Sequence, residues 1–126
     1  MSRLARWAPP VGWAALLYAL SAQPRLPSPN VANADKAEHF AAYLVLGFLL
    51  ARAPVSLAFA AAIGVLYGAS DEVHQMFVPG RSPSIWDWAA DALGVLSGVF
   101  AYTRWRAWRG RESAPAAPRD ADPIRT

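Results

Sequence analysis

The chain of 126 residues contains no cysteine, which excludes disulfide bonds and thiolate metal ligands. Charged residues are also scarce, at 17% of the sequence, whereas hydrophobic residues make up 55%. An ordinary soluble domain is richer in charge and poorer in apolar residues. Most of the net charge of +3 comes from the two ends of the chain, a pattern that favours anionic lipid headgroups over nucleic acid as a partner.

The apolar residues are gathered in four runs, which predict four transmembrane helices at about residues 7–23, 37–51, 54–75 and 85–103. The first two runs fall short of the roughly 20 apolar residues that a free-standing span needs. A soluble four-helix bundle is the alternative, but it would carry a charged face on each helix, and the second and third runs are free of charge over most of their length.

The fold class predicted from these runs is all-α, a polytopic membrane protein built as a bundle of four transmembrane helices. Residues 1–109 form one domain, and the proline-rich residues 110–126 are predicted to be a disordered cytoplasmic tail. The first span has a second interpretation as a secretory signal peptide, because Arg3 and Arg6 precede a short apolar core that ends in small residues. Pro9 and Pro10 and the lack of a clear cleavage site weaken that interpretation.

The basic residues predict the orientation in the cell membrane. With both termini in the cytoplasm, nine of the twelve basic residues lie inside, and only Arg25, Lys36 and Arg81 lie outside. Most acidic residues fall on the outer side, although they were not used to choose the orientation: Asp35, Glu38, Asp71, Glu72, Asp87 and Asp91. The polar sets beside three of the spans are therefore predicted to converge on one extracytoplasmic face.

Helical spacing places several of these residues on shared faces. The series are Gly64, Gly68, Asp71 and Gln75 on the third span; Asp87, Asp91, Gly94 and Gly98 on the fourth; and Asp35, His39 and Tyr43 on the second. Glycines four apart allow close helix approach. The glycines are therefore predicted to form the contact between the third and fourth spans, with the acids at its outer end.

The helix dipole disfavours the negative charge of two of the acids. Asp71 and Glu72 lie near the C-terminal end of the third span, where the dipole opposes each negative charge by about 0.3–1 kcal/mol. They must be paired, protonated or coordinating something. The nearest cations by this topology are Lys36 and Arg81.

Two stretches of the chain resemble the signatures of the VanZ-like membrane family. The first is Asp35-Lys36-Ala37-Glu38-His39-Phe40-Ala41-Ala42-Tyr43 with Leu46-Gly47-Phe48, and the second runs from Tyr67 through Asp71-Glu72-Val73-His74-Gln75 and Phe77-Val78-Pro79-Gly80-Arg81-Ser82 to Asp87 and Gly94. The resemblance implies a small polytopic membrane protein, often drawn with four helices, but supplies no reaction. Asp91 departs from it, since many members carry Asn there, which leaves the charge of this position open. The family is named for a protein linked to teicoplanin resistance, a role that the name alone does not transfer.

The polar residues of the outer face are the predicted site. The candidate catalytic residues are His39, Asp71, Glu72 and His74, and the candidate ligand-binding residues are Asp35, Lys36, Glu38, Gln75, Arg81, Ser82, Asp87 and Asp91. His39, His74, Glu72 and Asp71 can also be combined as ligands of a divalent metal. We assign no metal ligand from the sequence, because Glu72 and His74 point about 200° apart on a regular helix.

Three functions remain open at this stage. The favoured one is binding of, or action on, a cell-envelope lipid or precursor headgroup, with membrane lipids as partners, no nucleic acid and a homo-oligomer as a further option. A membrane-embedded hydrolase or transferase would use the His, Asp and Glu side chains as acids and bases. A purely structural network of polar side chains would produce the same clustering. The sequence decides neither whether the protein is an enzyme nor whether it uses a cofactor.

Overall fold

The structure, a computed structural model, describes residues 1–24 and 34–113. These residues form four α-helices and no β-strand, as the all-α prediction requires. A short 3₁₀-helix at Leu4–Arg6 precedes the helices, which are α1 (Ala8–Ser21), α2 (Ala34–Ala51), α3 (Leu57–Gln75) and α4 (Ile85–Glu112).

Local sequence signals account for where the helices begin and end. Pro9 and Pro10 occupy the first turn of α1, where the missing backbone N–H costs no hydrogen bond. The hydroxyls of Ser56 and Ser84 cap the N-termini of α3 and α4 by accepting hydrogen bonds from backbone N–H groups. Helix α4 continues to Glu112 instead of ending near residue 103, so residues 110–112 are helical and not part of a disordered tail. The predicted loop at residues 25–33 and the tail at 114–126 lie outside the described residues.

Within residues 1–24 and 34–113, no helix is both long enough and apolar enough to cross a membrane. The four predicted spans are therefore helices in the structure, but none of them has the length and hydropathy of a membrane span. Helix α1 has only 14 residues, and each of the longer helices includes polar residues of the predicted site near one end.

The closest helix contact joins α2 to α4 through glycines. A Cβ atom on Gly94 would overlap the carbonyl oxygen of Phe40, and one on Gly98 would overlap that of Leu44. The prediction that these two glycines meet the third span is wrong, because helical spacing defines a face but not the helix that packs on it. The other half of that prediction is confirmed, since a Cβ on Gly68 would lie 3.1 Å from the Cβ of Asp91 on α4.

Aromatic side chains fasten the remaining helices together. Three of them donate hydrogen bonds to backbone carbonyl oxygens of neighbouring helices: Trp13 Nε1 to Ala42 (2.9 Å), Tyr67 Oη to Ala14 (2.6 Å) and Trp88 Nε1 to Val65 (3.1 Å). Between these contacts lies a core that includes Leu17, Leu46, Leu50, Ala60 and Val95. The bundle is therefore held by apolar packing and aromatic donors along its length.

The two ends of the bundle differ in charge. At one end, which we call the basic end, the Nε of Arg6 donates a hydrogen bond of 3.1 Å to the carbonyl oxygen of Arg52, beside exposed arginines at positions 3, 104 and 106. At the other, the cluster end, α1 and α3 finish while α2 and α4 begin. The acidic residues of the predicted site lie there.

Replacing Gly98 by Ala should destabilise the protein by about 1–3 kcal/mol, because the new methyl group meets the backbone of α2 and cannot be accommodated by a side-chain rotation. Gly110 is the matched control, since it lies on the same helix with no heavy atom within 4 Å of an added Cβ. Gly110→Ala should stabilise the protein by about 0.5–1 kcal/mol through helix propensity. The midpoints of thermal unfolding would test this, and shifts of the same sign would contradict it.

Candidate functional site

A group of polar side chains fills the cluster end between three helices. We call it the polar cluster, and it consists of His39 and Tyr43 on α2, Asp71, Glu72 and Gln75 on α3, Asp87 and Asp91 on α4, and Ser84 at the cap of α4. Except for His39 and Ser84, all of these residues are buried. The predicted convergence of the three polar sets is therefore present in the structure.

The deepest contact of the cluster pairs His39 with Asp91. The Nδ1 of His39 lies 2.8 Å from Oδ1 of Asp91, whose side chain is 0% exposed. The close approach of the two backbones at Gly94, one turn beyond Asp91, brings the two side chains within hydrogen-bond distance. A buried carboxylate bonded to one ring nitrogen fixes the orientation of the imidazole and leaves Nε2 as the nitrogen that can act on a ligand.

Asp71, on α3, is hydrogen-bonded to α2. The hydroxyl of Tyr43 donates to Oδ2 of Asp71 at 3.1 Å, and the amide of Gln75 lies 3.5 Å from the same oxygen. Tyr43 is four residues after His39, so both side chains lie on the face of α2 that meets α3 and α4. The cations proposed from the sequence, Lys36 and Arg81, are not its partners.

Glu72 is bonded to the start of α4 and not to a cation. Its Oε2 accepts a hydrogen bond of 2.8 Å from the backbone N–H of Ser84, while the hydroxyl of Ser84 accepts one of 3.3 Å from the backbone N–H of Asp87. The N-terminus of α4 carries the positive end of its dipole. It therefore compensates a negative charge that the C-terminal end of α3 opposes.

Lys36 joins the cluster from the first full turn of α2. Its Nζ lies 3.6 Å from Oδ1 of Asp87 and 3.8 Å from Oδ2 of Asp35. Lys36 and Asp35 are both half-buried, so their side chains stand at the rim of the cluster rather than in its interior. An ion pair at this distance and exposure contributes little to stability.

Arg81 and His74 are directed towards α1. Arg81 donates from Nε to the carbonyl oxygen of Gln23 at 2.9 Å and from Nη2 to that of Leu20 at 3.2 Å. It thus adds hydrogen bonds to carbonyl oxygens at and just beyond the C-terminal end of α1. The ring of His74 stacks on Tyr18 at a centroid distance of 4.4 Å, and its Nδ1 lies 3.2 Å from the hydroxyl of Ser21. His74 therefore faces α1, whereas Glu72 faces α4, as their angular separation predicts.

Two neighbouring cavities open beside the cluster. The α1-side cavity has a volume of about 140 Å³ and is lined by Leu17, Leu20, Ser21, Glu38, His39, Ala42, Tyr43, Asp71, Gln75 and Arg81. The loop-side cavity has a volume of about 190 Å³ and is lined by Asp35, Lys36, His39, Gln75, Gly80, Arg81, Ser82, Ser84 and Asp87. His39, Gln75 and Arg81 belong to both linings, so the two cavities adjoin at these residues.

The predicted site residues thus divide into three groups. The polar cluster brings together His39, Asp71, Glu72, Gln75, Asp87 and Asp91; Lys36, Asp35, Glu38, Ser82 and Arg81 line its cavities; and His74, on α3, lies apart and packs against α1. Sequence reasoning left Tyr43 and Ser84 out of the site. Their signals were present, as Tyr43 shares a helix face with His39, and Ser84 precedes Asp87 in the Ser-x-x-Asp pattern of a helix cap.

Four buried carboxylate oxygens of the cluster accept no hydrogen bond from the residues that the structure describes: Asp71 Oδ1, Glu72 Oε1, Asp87 Oδ1 and Asp91 Oδ2. An unbonded buried carboxylate oxygen is costly, even where a cation such as Lys36 lies close by. The cluster therefore has acceptor oxygens that a cation, or the hydrogen-bond donors of a ligand, could occupy.

Comparison with known protein families gives a match over most of the chain. The sequence model of a family described as VanZ/LLP1 matches residues 7–106, which is well over half of the chain. The matched range includes α1, α2, α3 and every residue of the polar cluster. No curated protein and no solved structure matches the chain.

Replacing Tyr43 by Phe should destabilise the protein by about 1–3 kcal/mol, because Asp71 loses its principal buried donor while the ring still fills its place. Tyr18→Phe removes an exposed hydroxyl and should change stability by less than about 0.5 kcal/mol. Denaturant unfolding of the two variants beside the wild type measures the difference. Equal stability of the wild type and both variants would show that the Tyr43–Asp71 hydrogen bond does not contribute to stability.

Proposed function

The chain belongs to the VanZ/LLP1 family, and from this premise we propose that it is a membrane-embedded protein that binds the headgroup of a cell-envelope lipid or lipid-linked precursor. The observation that carries the proposal is the loop-side cavity at the cluster end. It combines the cations of Lys36 and Arg81 with the hydroxyls of Ser82 and Ser84. Phosphates bind such cations, and sugar hydroxyls exchange hydrogen bonds with such polar groups.

The distribution of apolar side chains supports the membrane part of the proposal. Large apolar residues are exposed on the outside of the bundle, such as Leu66 on α3 at 69% and Phe100 on α4 at 65%, while carboxylates are buried inside. Exposed apolar surface of this kind marks contact with a protein or a membrane. The unit that we propose enters the bilayer is the whole bundle, whose polar groups face one another rather than lipid.

The charges at the two ends support an orientation. The basic end presents arginines, among them Arg3, Arg52 and Arg106, whereas the cluster end is acidic. Basic residues are retained on the cytoplasmic side of membrane proteins. We therefore propose a multi-pass protein of the cell membrane, with both termini in the cytoplasm and the polar cluster facing outwards.

The absence of cysteine allows a clean test of this orientation. Ser82→Cys, at the cluster end, should react in intact cells or spheroplasts with a maleimide that does not cross membranes. Ser113→Cys, just after α4, should react only after permeabilisation. Labelling would be read by mass shift, with the cysteine-free wild type as background. The reverse pattern, or recovery of the protein in the soluble fraction after lysis, would overturn the proposed topology.

Headgroup binding can be measured on the solubilised protein by native mass spectrometry with a polyprenyl phosphate, phosphatidylglycerol and phosphatidylcholine. The two anionic lipids should be retained and phosphatidylcholine should not. Lys36→Gln should weaken retention about tenfold, the value of one charge-assisted hydrogen bond. Arg104→Gln removes an equal charge at the basic end and is the control. Equal losses in both variants would indicate a non-specific charge effect and contradict the proposed site.

A membrane-embedded hydrolase or transferase is the second candidate, and the His39–Asp91 pair favours it. A histidine oriented by a buried carboxylate is the arrangement that activates a nucleophile or water in many enzymes. It would act on the same headgroup, held in the same cavity. Release of phosphate or alcohol from the lipids above, dependent on His39, would favour this candidate over binding alone. Either activity would alter the lipids presented at the surface, which is the route by which a link to teicoplanin resistance would arise.

A further inference from the structure

We infer that His39, Glu72 and Asp87 form a binding site for one divalent metal ion of the Zn²⁺ or Mn²⁺ kind, with Asp91 as a positioning residue for His39. This goes beyond headgroup binding and does not depend on it. The three ligands come from three helices, α2, α3 and α4, so the site would form only in the folded bundle.

The geometry of the three side chains suits one ion. Each residue offers one ligand atom, and these atoms all lie within 4.8 Å of one another. Bonds of about 2.0–2.2 Å to nitrogen and oxygen in a tetrahedral site would place ligand atoms roughly 3.4 Å apart. Binding of an ion therefore requires the ligand atoms to move together by at most roughly 1.4 Å.

The two carboxylates are buried and incompletely bonded. Glu72 is 7% exposed and Asp87 is 8% exposed, yet Oε1 of Glu72 and Oδ1 of Asp87 accept no hydrogen bond from the described residues. The other oxygen of Glu72 already accepts from Ser84, which holds the carboxylate in place and leaves Oε1 for a ligand. A cation bound between these oxygens would offset the cost of burying them.

The contact between His39 and Asp91 is the kind that supports a metal-binding histidine. Ligating histidines almost always donate their second ring N–H to a carboxylate or carbonyl, which sets the tautomer and raises the basicity of the ligating nitrogen. Nδ1 of His39 is engaged by the fully buried Asp91 at 2.8 Å, so Nε2 is the ligating atom. Asp91 would then act through His39 without touching the ion.

The ligand set and its surroundings indicate the class of metal. One imidazole and two carboxylates suit Zn²⁺ or Mn²⁺ better than Mg²⁺ or Ca²⁺, which prefer oxygen alone. His39 and Asp87 also line the loop-side cavity, so a water or a headgroup oxygen can complete the coordination from that side. The charged groups around the site include the acids Asp35, Asp71 and Asp91 and the cations Arg81 and Lys36. Of the two cations, Lys36 is paired with a proposed ligand, since its Nζ lies 3.6 Å from Oδ1 of Asp87.

Lys36 supplies a readout that separates the two proposals. As the cation nearest to Asp87, it competes with a metal for the same oxygen. Lys36→Gln should therefore bind Zn²⁺ and Mn²⁺ several-fold more tightly than the wild type, although it is expected to bind anionic lipid less tightly. A variant that loses lipid without gaining metal affinity would contradict the metal site alone, and the opposite result would contradict the headgroup site alone.

The direct test titrates the purified full-length protein in detergent with ZnCl₂ by calorimetry, with MnCl₂ by electron paramagnetic resonance and with CoCl₂ by visible absorption. We expect one ion per chain, and a Co²⁺ spectrum of mixed nitrogen and oxygen ligands. Glu72→Gln and Asp87→Asn keep the size of the side chains and should weaken binding by about tenfold or more, and His39→Ala should abolish it. Asp91→Ala should weaken binding by about 10–100-fold, with part of the loss recovered in Asp91→Asn, which keeps an oxygen for Nδ1.

His74→Ala is the matched control, because it removes the second histidine from the same helix as Glu72 without touching the site. It should bind metal as the wild type does. Circular dichroism of each metal-free variant verifies that the bundle remains folded. The inference is overturned if the wild type binds no Zn²⁺ or Mn²⁺ at micromolar concentration, or if folded Glu72→Gln and Asp87→Asn bind them as well as the wild type.

Discussion

The backbone contact between α2 and α4 is the constraint on which the rest of the structure depends. Gly94 and Gly98 bring α4 against the carbonyl oxygens of Phe40 and Leu44, with no room for a side chain between them. His39 immediately precedes Phe40, and Asp91 lies one turn before Gly94, so the same contact sets the 2.8 Å separation of the deepest polar pair. The geometry of the polar cluster is thus a consequence of helix packing, and a change to the glycines alters the cluster without touching any of its side chains.

The distribution of polarity follows from that packing. The described helices turn carboxylates towards one another at the cluster end and present Leu, Phe and Trp side chains outwards along α3 and α4. In a protein dissolved in water the hydrophobic effect would favour the reverse arrangement. In lipid the outward apolar side chains lose nothing, and the polar groups gain from facing each other. The arrangement is coherent if the bundle is considered as one unit, although no single described helix has the length and hydropathy of an independent span.

The sequence was sufficient to predict the existence of the four helices, because prolines and charged residues separate the apolar runs. Helical spacing also predicted which residues share a face, including His39 with Tyr43 and Gly64 with Gly68. It could not predict partners between helices. Gly94 was predicted to pack against α3, but it packs against α2. Arg81 was predicted to lie near the carboxylates of α3, but it donates hydrogen bonds to the end of α1. These choices depend on the rotation of each helix about its axis and on the path of the loop at residues 76–84, and neither leaves a periodic signal in the sequence.

If the polar cluster were a purely structural network, its buried polar groups would be expected to hydrogen-bond to one another. Several of them do not, which favours a ligand. The helices are also held by contacts outside the polar cluster, in the glycine contact and in the donors Trp13, Tyr67 and Trp88, each of which meets a backbone carbonyl. The polar cluster adds the bonds of His39, Tyr43 and Ser84, yet four of its buried carboxylate oxygens accept no hydrogen bond from the described residues. Carboxylate oxygens of Glu72 and Asp87 also lie within 4.8 Å of one another, so these two acids repel each other when both are charged. Apolar side chains of similar size would hold the same helices together at less cost. On this argument the acids fit the metal site that we propose better than they fit a purely structural role.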